Sequence, residues 1–168
     1  MKSRLWYPQL DPSSAVRRFA RLLRLWSKSP ETMERLFIAD FFLASPNLID
    51  RLQMPSEYRK KYASLGLPKP KDSFLTFPSS SMLFHTMEPV QKEGLNSMAG
   101  KALLELSDYE VSKVKLSDEG LAFAEKLENS PRSNIEDVAL EFIADIFKSP
   151  EFSGKMELRT RSGLRFYE

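Results

Sequence analysis

The segment 31–44 constrains the fold more than any other part of the sequence, because apolar side chains cover nearly every side of it at helical pitch. Its apolar residues are Met33, Leu36, Phe37, Ile38, Phe41, Phe42 and Leu43. A helix that is apolar all round must be covered on all sides. We therefore predict that this segment forms the central helix of the core, capped by Ser29-Pro30 at its start and ended by Ser45-Pro46.

An amphipathic helix is predicted before the central one, from Asp11 to about Lys28. Asp11-Pro12 combines an acidic N-cap with proline at the first helical position, which is typical of a helix start. The residues that recur at helical spacing and indicate its buried face are Val16, Phe19, Ala20, Leu23 and Trp26. Similar signals predict further helices that begin near Pro55, Ser117 and Asn134.

The segment 81–128 has the order helix, helix, short strand, strand, helix. A turn at Ser107-Asp108 separates KALLEL from the alternating residues 109–116, which predicts a hairpin like the wing of a winged helix. The helix around 89–98 then occupies the recognition position. It offers Gln91, Lys92, Glu93 and Asn96. Because this set lacks arginine, we favour protein docking over the reading of bases.

The predicted fold is mainly α, a compact helical domain with a winged-helix-like segment that carries a short β-hairpin. We divide it into an N-terminal helical part with the central apolar helix, a Pro-rich loop, a winged-helix-like part and a C-terminal tail without helical period. Their ranges are 1–65, 66–80, 81–148 and 149–168, and we expect them to form one compact domain, for which 168 residues suffice. We find neither a signal peptide nor a membrane-spanning stretch and expect a cytoplasmic protein.

The composition argues against catalytic chemistry. The chain has no cysteine and one histidine, His85, so it cannot build a thiolate or histidine zinc site by itself. It contains neither a G-x-S-x-G elbow nor a glycine-rich phosphate loop. We therefore predict no enzymatic activity, no cofactor and no metal. His85 lies among apolar residues, and we interpret it as structural.

Asp40 lies within the central apolar segment, where a charge is costly unless it is paired. Our preferred interpretation is a carboxylate satisfied by an arginine from the first helix or by backbone amides. The alternative is a contact at a subunit interface.

A basic stripe lies on the first helix. Arg17, Arg21, Arg24 and Lys28 follow the spacing i, i+4, i+7, i+11, and Asp11 is the one acid within residues 1–28. Guanidinium groups suit phosphates and carboxylates because they offer forked donors. We predict that the stripe contacts either DNA or an acidic partner surface, and we favour the protein partner. The alternative is a solvated face paired to acids of this chain.

The sequence resembles the middle component of bacterial ABC-three component systems, a group that includes Lamassu-like antiphage and antiplasmid defences. The resemblance lies in Tyr7-Pro8, Asp11, Arg18-Phe19, Leu22-Leu23 and the run from Arg35 to Pro46. It implies a non-catalytic adaptor that bridges an ATPase similar to SMC or Rad50 proteins and an effector of nuclease type. DNA would be reached through the complex, and neither a membrane nor a small-molecule substrate is implied. The residues alone leave a second interpretation open, a winged-helix transcription regulator.

Overall fold

Helices make up most of the chain that the computed structural model describes, which is residues 7–70 and 79–166. The α-helices are α1 (Pro12–Leu25), α2 (Met33–Ala44), α3 (Ser56–Ser64), α4 (Ser80–Gly100), α5 (Leu106–Glu110), α6 (Asp118–Glu128), α7 (Asn134–Ile146) and α8 (Lys155–Ser162). Short 3-10 helices span Pro8–Leu10, Pro46–Arg51 and Pro150–Phe152. Two-residue strands, β1 (Glu31–Thr32) and β2 (Lys113–Val114), pair antiparallel. None of the described helices is long and apolar enough to cross a membrane.

The central position predicted for the second helix is confirmed. α2 packs against α1, α4 and α7, and Phe37 and Phe41 are fully buried. The ring of Phe37 stacks on that of Phe19 at 5.7 Å between centroids, which joins α2 to α1. The predicted cap is wrong, because Thr32 rather than Ser29 caps α2. The Thr32 hydroxyl accepts a hydrogen bond from the backbone N–H of Arg35, and Thr32 is also the second residue of β1.

The first helix begins where the sequence predicted but ends at Leu25 rather than near Lys28. The Asp11 carboxylate accepts from the backbone N–H groups of Ser13 and Ser14. Further along, α1 packs against α4 at Gly94, where an added Cβ would lie 3.2 Å from the Pro12 carbonyl oxygen. The missing side chain at Gly94 therefore lets the two helices approach closely.

The two helices predicted at the start of 81–128 are one in the structure, because α4 continues through Pro89. Proline removes one helical hydrogen bond and disfavours the helix interior. Buried side chains on both sides of Pro89 hold the two halves in one line, among them Phe84 and Met87 before it and Leu95 after it. Tertiary packing thus outweighs the local preference.

The wing hairpin is not confirmed. Leu104 and Leu116 form an antiparallel bridge, but the chain between them contains α5 where the turn at Ser107-Asp108 was predicted. The strand within 109–116 exists as β2. Its partner is β1, from the N-terminal part of the chain, so the sheet links two distant segments.

The C-terminal tail is helical and packed, which corrects the prediction of a segment without helical period. It contains α8, and the core takes up Phe152, Leu158 and Leu164. Two residues of α2 hold it. The guanidinium of Arg35 donates to backbone carbonyls of the tail, and the Glu34 carboxylate accepts from the side chain of Arg159 over 2.6 Å and from the backbone of Phe166 over 3.1 Å.

Side chains from the predicted N-terminal part, winged-helix-like part and tail share one hydrophobic core. Part of the predicted Pro-rich loop, residues 71–78, lies outside the described residues, as do 1–6 and 167–168.

We predict that truncation of the central aromatic residues severely destabilises the protein. Phe37→Ala or Phe41→Ala should each lower the free energy of unfolding by about 3–5 kcal/mol, because each leaves a cavity in a dry core. Chemical denaturation measures the change. Met82→Ala is the control, since that side chain is 62% exposed and its loss should cost less than about 0.5 kcal/mol. Unchanged stability of both phenylalanine variants would mean that α2 is peripheral.

Candidate partner-binding surface

Asp40 is paired inside the chain. Its side chain is 0% exposed, and Arg18 of α1 donates from Nε to Oδ1 over 2.6 Å and from Nη2 to Oδ2 over 3.2 Å. Gln91 of α4 donates a further hydrogen bond to Oδ2 over 2.9 Å. An arginine from the first helix therefore satisfies the carboxylate, as preferred from the sequence. The alternative role at a subunit interface is not supported, because the side chain could touch a partner only if α1 left α2.

Arg21 does not belong to an exposed stripe, which corrects the prediction of four cations on one accessible face. It is 5% exposed and pairs with Glu128 at the end of α6 and with Glu136 and Asp137 at the start of α7. Arg132, in the linker between those helices, pairs with Glu128 and Asp137 as well. The acids that neutralise Arg21 are more than 100 residues away in sequence, so local inspection could not find them.

These ion pairs shift the pKa values of both partners in the directions that favour charge. Burial alone would lower the pKa of Arg21, but hydrogen bonds to Asp137 and Glu128 outweigh it, and the pKa lies above its ordinary value. Partial desolvation alone would raise the pKa of Asp137. Hydrogen bonds from Arg21 and Arg132 outweigh this effect, and the pKa lies below its ordinary value. Arg21 and Asp137 are therefore both ionised at neutral pH.

The other three predicted cations stay at the surface. Arg17 and Lys28 are exposed and Arg24 is partly exposed, and none of them forms an ion pair with a residue in 7–70 or 79–166. Leu25, the last residue of α1, is 44% exposed. We call Arg17, Arg24, Leu25 and Lys28 the basic edge. An apolar side chain flanked by cations without a carboxylate partner can bind an acidic surface or a phosphate backbone.

The predicted recognition helix uses most of its polar side chains internally. Gln91 is buried against α2, and the Asn96 amide oxygen accepts from the Tyr109 hydroxyl. The ammonium of Lys92 lies 4.8 Å from the centre of the Phe166 ring. Of the four residues expected at a recognition surface, these three therefore contact other parts of the same chain.

Two other polar sites, outside α1, also consist of paired side chains. Nδ1 of His85 lies 3.2 Å from a carboxylate oxygen of Glu88, one turn further along α4. A shallow cleft beside α3 and α7 is crossed by the ion pair of Lys61 with Asp145, at 2.7 Å. Within the described part of the chain, no three residues of metal-binding type are grouped to hold an ion.

The fold and this surface define a mainly helical domain with one exposed cationic helix edge. The family model of the ABC-three component system middle component 5 matches residues 4–168, and the chain belongs to that family. A middle component is part of a multi-subunit system, so membership implies partner subunits. Neither a curated protein nor a solved structure matches the chain.

We predict strong coupling between Arg18 and Asp40. Arg18→Met or Asp40→Leu alone should cost about 3–5 kcal/mol of unfolding free energy, because each leaves an unpaired buried charge. The double variant should cost less than the sum of the two, since apolar residues of similar volume then fill the site. Denaturant titration of all four proteins gives the coupling energy. Additive effects would show that the pair does not act as a unit.

We also predict an acid-sensitive contribution from Asp137. Its pKa is lower in the folded state, so its stabilising effect is complete above the unfolded pKa of about 4 and is lost as the pH falls through the folded pKa. The melting temperature of Asp137→Asn should therefore lie below that of the parent at pH 6 and approach it near pH 3. Glu125→Gln, an exposed position of α6, is the control. A difference in melting temperature between the parent and Asp137→Asn that stays constant from pH 6 to pH 3 would contradict the stabilising role of the Asp137 carboxylate.

Proposed function

We propose that this protein is a non-catalytic adaptor of a prokaryotic antiphage or antiplasmid defence complex of the Lamassu-like kind. It would bridge an ATPase similar to SMC or Rad50 proteins and an effector of nuclease type. The observation that carries this proposal is the match of a middle-component family model to residues 4–168. The cytoplasm is the compartment in which such a complex would meet invading DNA.

The basic edge is the surface that we assign to partner contact. A folded chain satisfies most of its buried charges internally, as Arg18 and Arg21 do. Arg17 and Arg24 share α1 with the paired arginines and Lys28 follows its end, yet none of the three has a carboxylate partner in the described residues. An acidic patch on another subunit would neutralise these three cations and bury Leu25 at the same time.

DNA is the other anion that fits the basic edge, and the two targets differ in their response to salt. Phosphate neutralisation releases counterions, so the logarithm of affinity falls with the logarithm of salt at a slope near −0.9 per contact. Docking on a protein through a partly desolvated contact depends less on salt. We favour the protein, because the net charge of the chain is +2 and Leu25 offers apolar area that a phosphate backbone does not need.

We predict that reversal of the basic edge breaks the complex. The triple variant Arg17→Glu, Arg24→Glu and Lys28→Glu should reduce co-purification with the ATPase or the effector by about tenfold or more, because like charges then face each other. Quantitative pull-down from cells that express all three subunits measures it. The control carries the same charge change at exposed lysines elsewhere, Lys60→Glu, Lys101→Glu and Lys126→Glu, and should assemble normally.

Two results would contradict this assignment. Assembly that survives while DNA binding by the assembled complex collapses would make the basic edge a nucleic-acid site. Equal losses in the edge variant and the control would trace the effect to net charge.

The proposed lack of catalysis has its own test. The purified chain with magnesium should neither cleave duplex DNA nor hydrolyse ATP above the buffer rate, because the whole sequence offers one histidine, no cysteine and no phosphate loop. The assays are gel cleavage and phosphate release. Activity that co-elutes with the chain through successive columns and disappears in a point variant would refute the adaptor proposal.

A further inference from the structure

Arg21 is buried although it lies between two cations of the basic edge. It is 5% exposed, whereas Arg17, four residues before it, is exposed and Arg24, three residues after it, is partly exposed. Residues three and four apart on a helix are surface neighbours, with Cβ atoms about 5–6 Å apart. The groups that shield Arg21 from solvent therefore lie next to the basic edge.

Those groups are carboxylates from the junction of α6 and α7. Glu128 is the last residue of α6, Glu136 and Asp137 lie in the first turn of α7, and we call these three residues the carboxylate border. Each forms an ion pair with Arg21 at 2.6 to 3.1 Å. Arg132 pairs with two of them, so three carboxylates face two guanidinium groups and one negative charge is in excess.

Glu136 is the member of the carboxylate border that solvent reaches most. Its side chain is 46% exposed, against 25% for Glu128 and 34% for Asp137. Those two carboxylates also pair with Arg132, whereas the ion pair described for Glu136 is the one with Arg21. An anion that approaches the basic edge from solvent therefore meets the charge of Glu136 first.

A phosphate backbone and a protein surface differ in how they can accommodate this charge. Arg17 and Arg24 are seven residues apart, which corresponds to roughly 10 Å of helix. A DNA strand carries a phosphate about every 3.4 Å of its axis, so a strand that follows the edge brings phosphates along the carboxylate border as well. The carboxylates of a folded protein have no fixed spacing. They can meet the cations and leave no acid opposite Glu136.

We propose that Glu136 determines the specificity of the basic edge, because its carboxylate repels a phosphate backbone and so reserves the edge for an acidic protein surface. The inference rests on the proposed function, in which the basic edge contacts a partner subunit, and it adds the residue that excludes nucleic acid. This role is separate from holding the fold. Without the charge of Glu136, Arg21 keeps its ion pairs with Glu128 and Asp137.

The test is Glu136→Gln, which removes the charge and keeps a side-chain oxygen that can accept from Arg21. Fluorescence anisotropy measures the binding of a short DNA duplex to the purified full chain at roughly 0.1 M salt, where the Debye length is about 10 Å. The affinity for the duplex should rise roughly threefold, the scale expected when one like charge about 6 Å away in water is removed. The melting temperature should stay close to that of the parent.

Two controls separate a local effect from a change in net charge. Glu57→Gln removes the same charge at an exposed position of α3, which is not among the main packing partners of α1, and should change the affinity for the duplex less than about 1.5-fold. Glu136→Gln added to the triple basic-edge variant should give no gain, because the duplex is then repelled from α1. Co-purification of Glu136→Gln with the ATPase or the effector should equal that of the parent.

The outcomes separate this inference from the proposed function. The inference is overturned, and the adaptor proposal stands, when Glu136→Gln binds the duplex no better than the parent or when Glu57→Gln gains as much. A gain that persists in the triple basic-edge variant places DNA elsewhere and also overturns it. Loss of a subunit from Glu136→Gln at a normal melting temperature would make Glu136 a partner contact instead. A parent chain that binds neither subunit overturns the adaptor proposal, whatever the duplex does.

Discussion

The buried pair of Arg18 and Asp40 is the interaction on which the arrangement of the core depends. Its bidentate geometry joins α1 to α2, and Gln91 brings α4 into the same network. A carboxylate in an apolar helix is tolerated only where such donors reach it, so the network restricts how these three helices can pack. Arg18 also donates to the Pro8 carbonyl, which ties the preceding 3-10 helix to the same site. Once α1 is held in this way, the direction of every other side chain on it is fixed.

The cations on α1 and just after it then divide according to what surrounds them. Arg21 meets the carboxylates at the end of α6 and the start of α7 and becomes part of the fold. Arg17, Arg24 and Lys28 meet no carboxylate of the described chain and stay at the surface. Arginine on this helix thus has a structural role at position 21, whereas Arg17 and Arg24 stay exposed at the positions that we propose for partner contact.

The sequence was sufficient where local physics decides the structure. Helical periodicity placed α1 and α2, and the Asp11 cap and the pairing of Asp40 with an arginine followed from residue chemistry. The sequence was insufficient where contacts between distant segments decide the structure. The acids around Arg21, the pairing of β1 with β2 and the continuation of α4 through Pro89 all depend on packing partners far along the chain. The prediction for the C-terminal tail was wrong for the same reason, because hydrogen bonds to the side chains of Glu34 and Arg35 in α2 hold the tail in place.

The central claim is that a partner docks on the basic edge of a fold whose buried charges stay paired. Hydroxyl-radical footprinting of the chain, alone and in the assembled complex, tests it most directly because it reports the accessibility of individual side chains. The account predicts that Leu25 loses reactivity on assembly, while the buried Phe37 stays unreactive in both states. Unchanged reactivity at Leu25, or a Phe37 that becomes reactive in the complex, would contradict it.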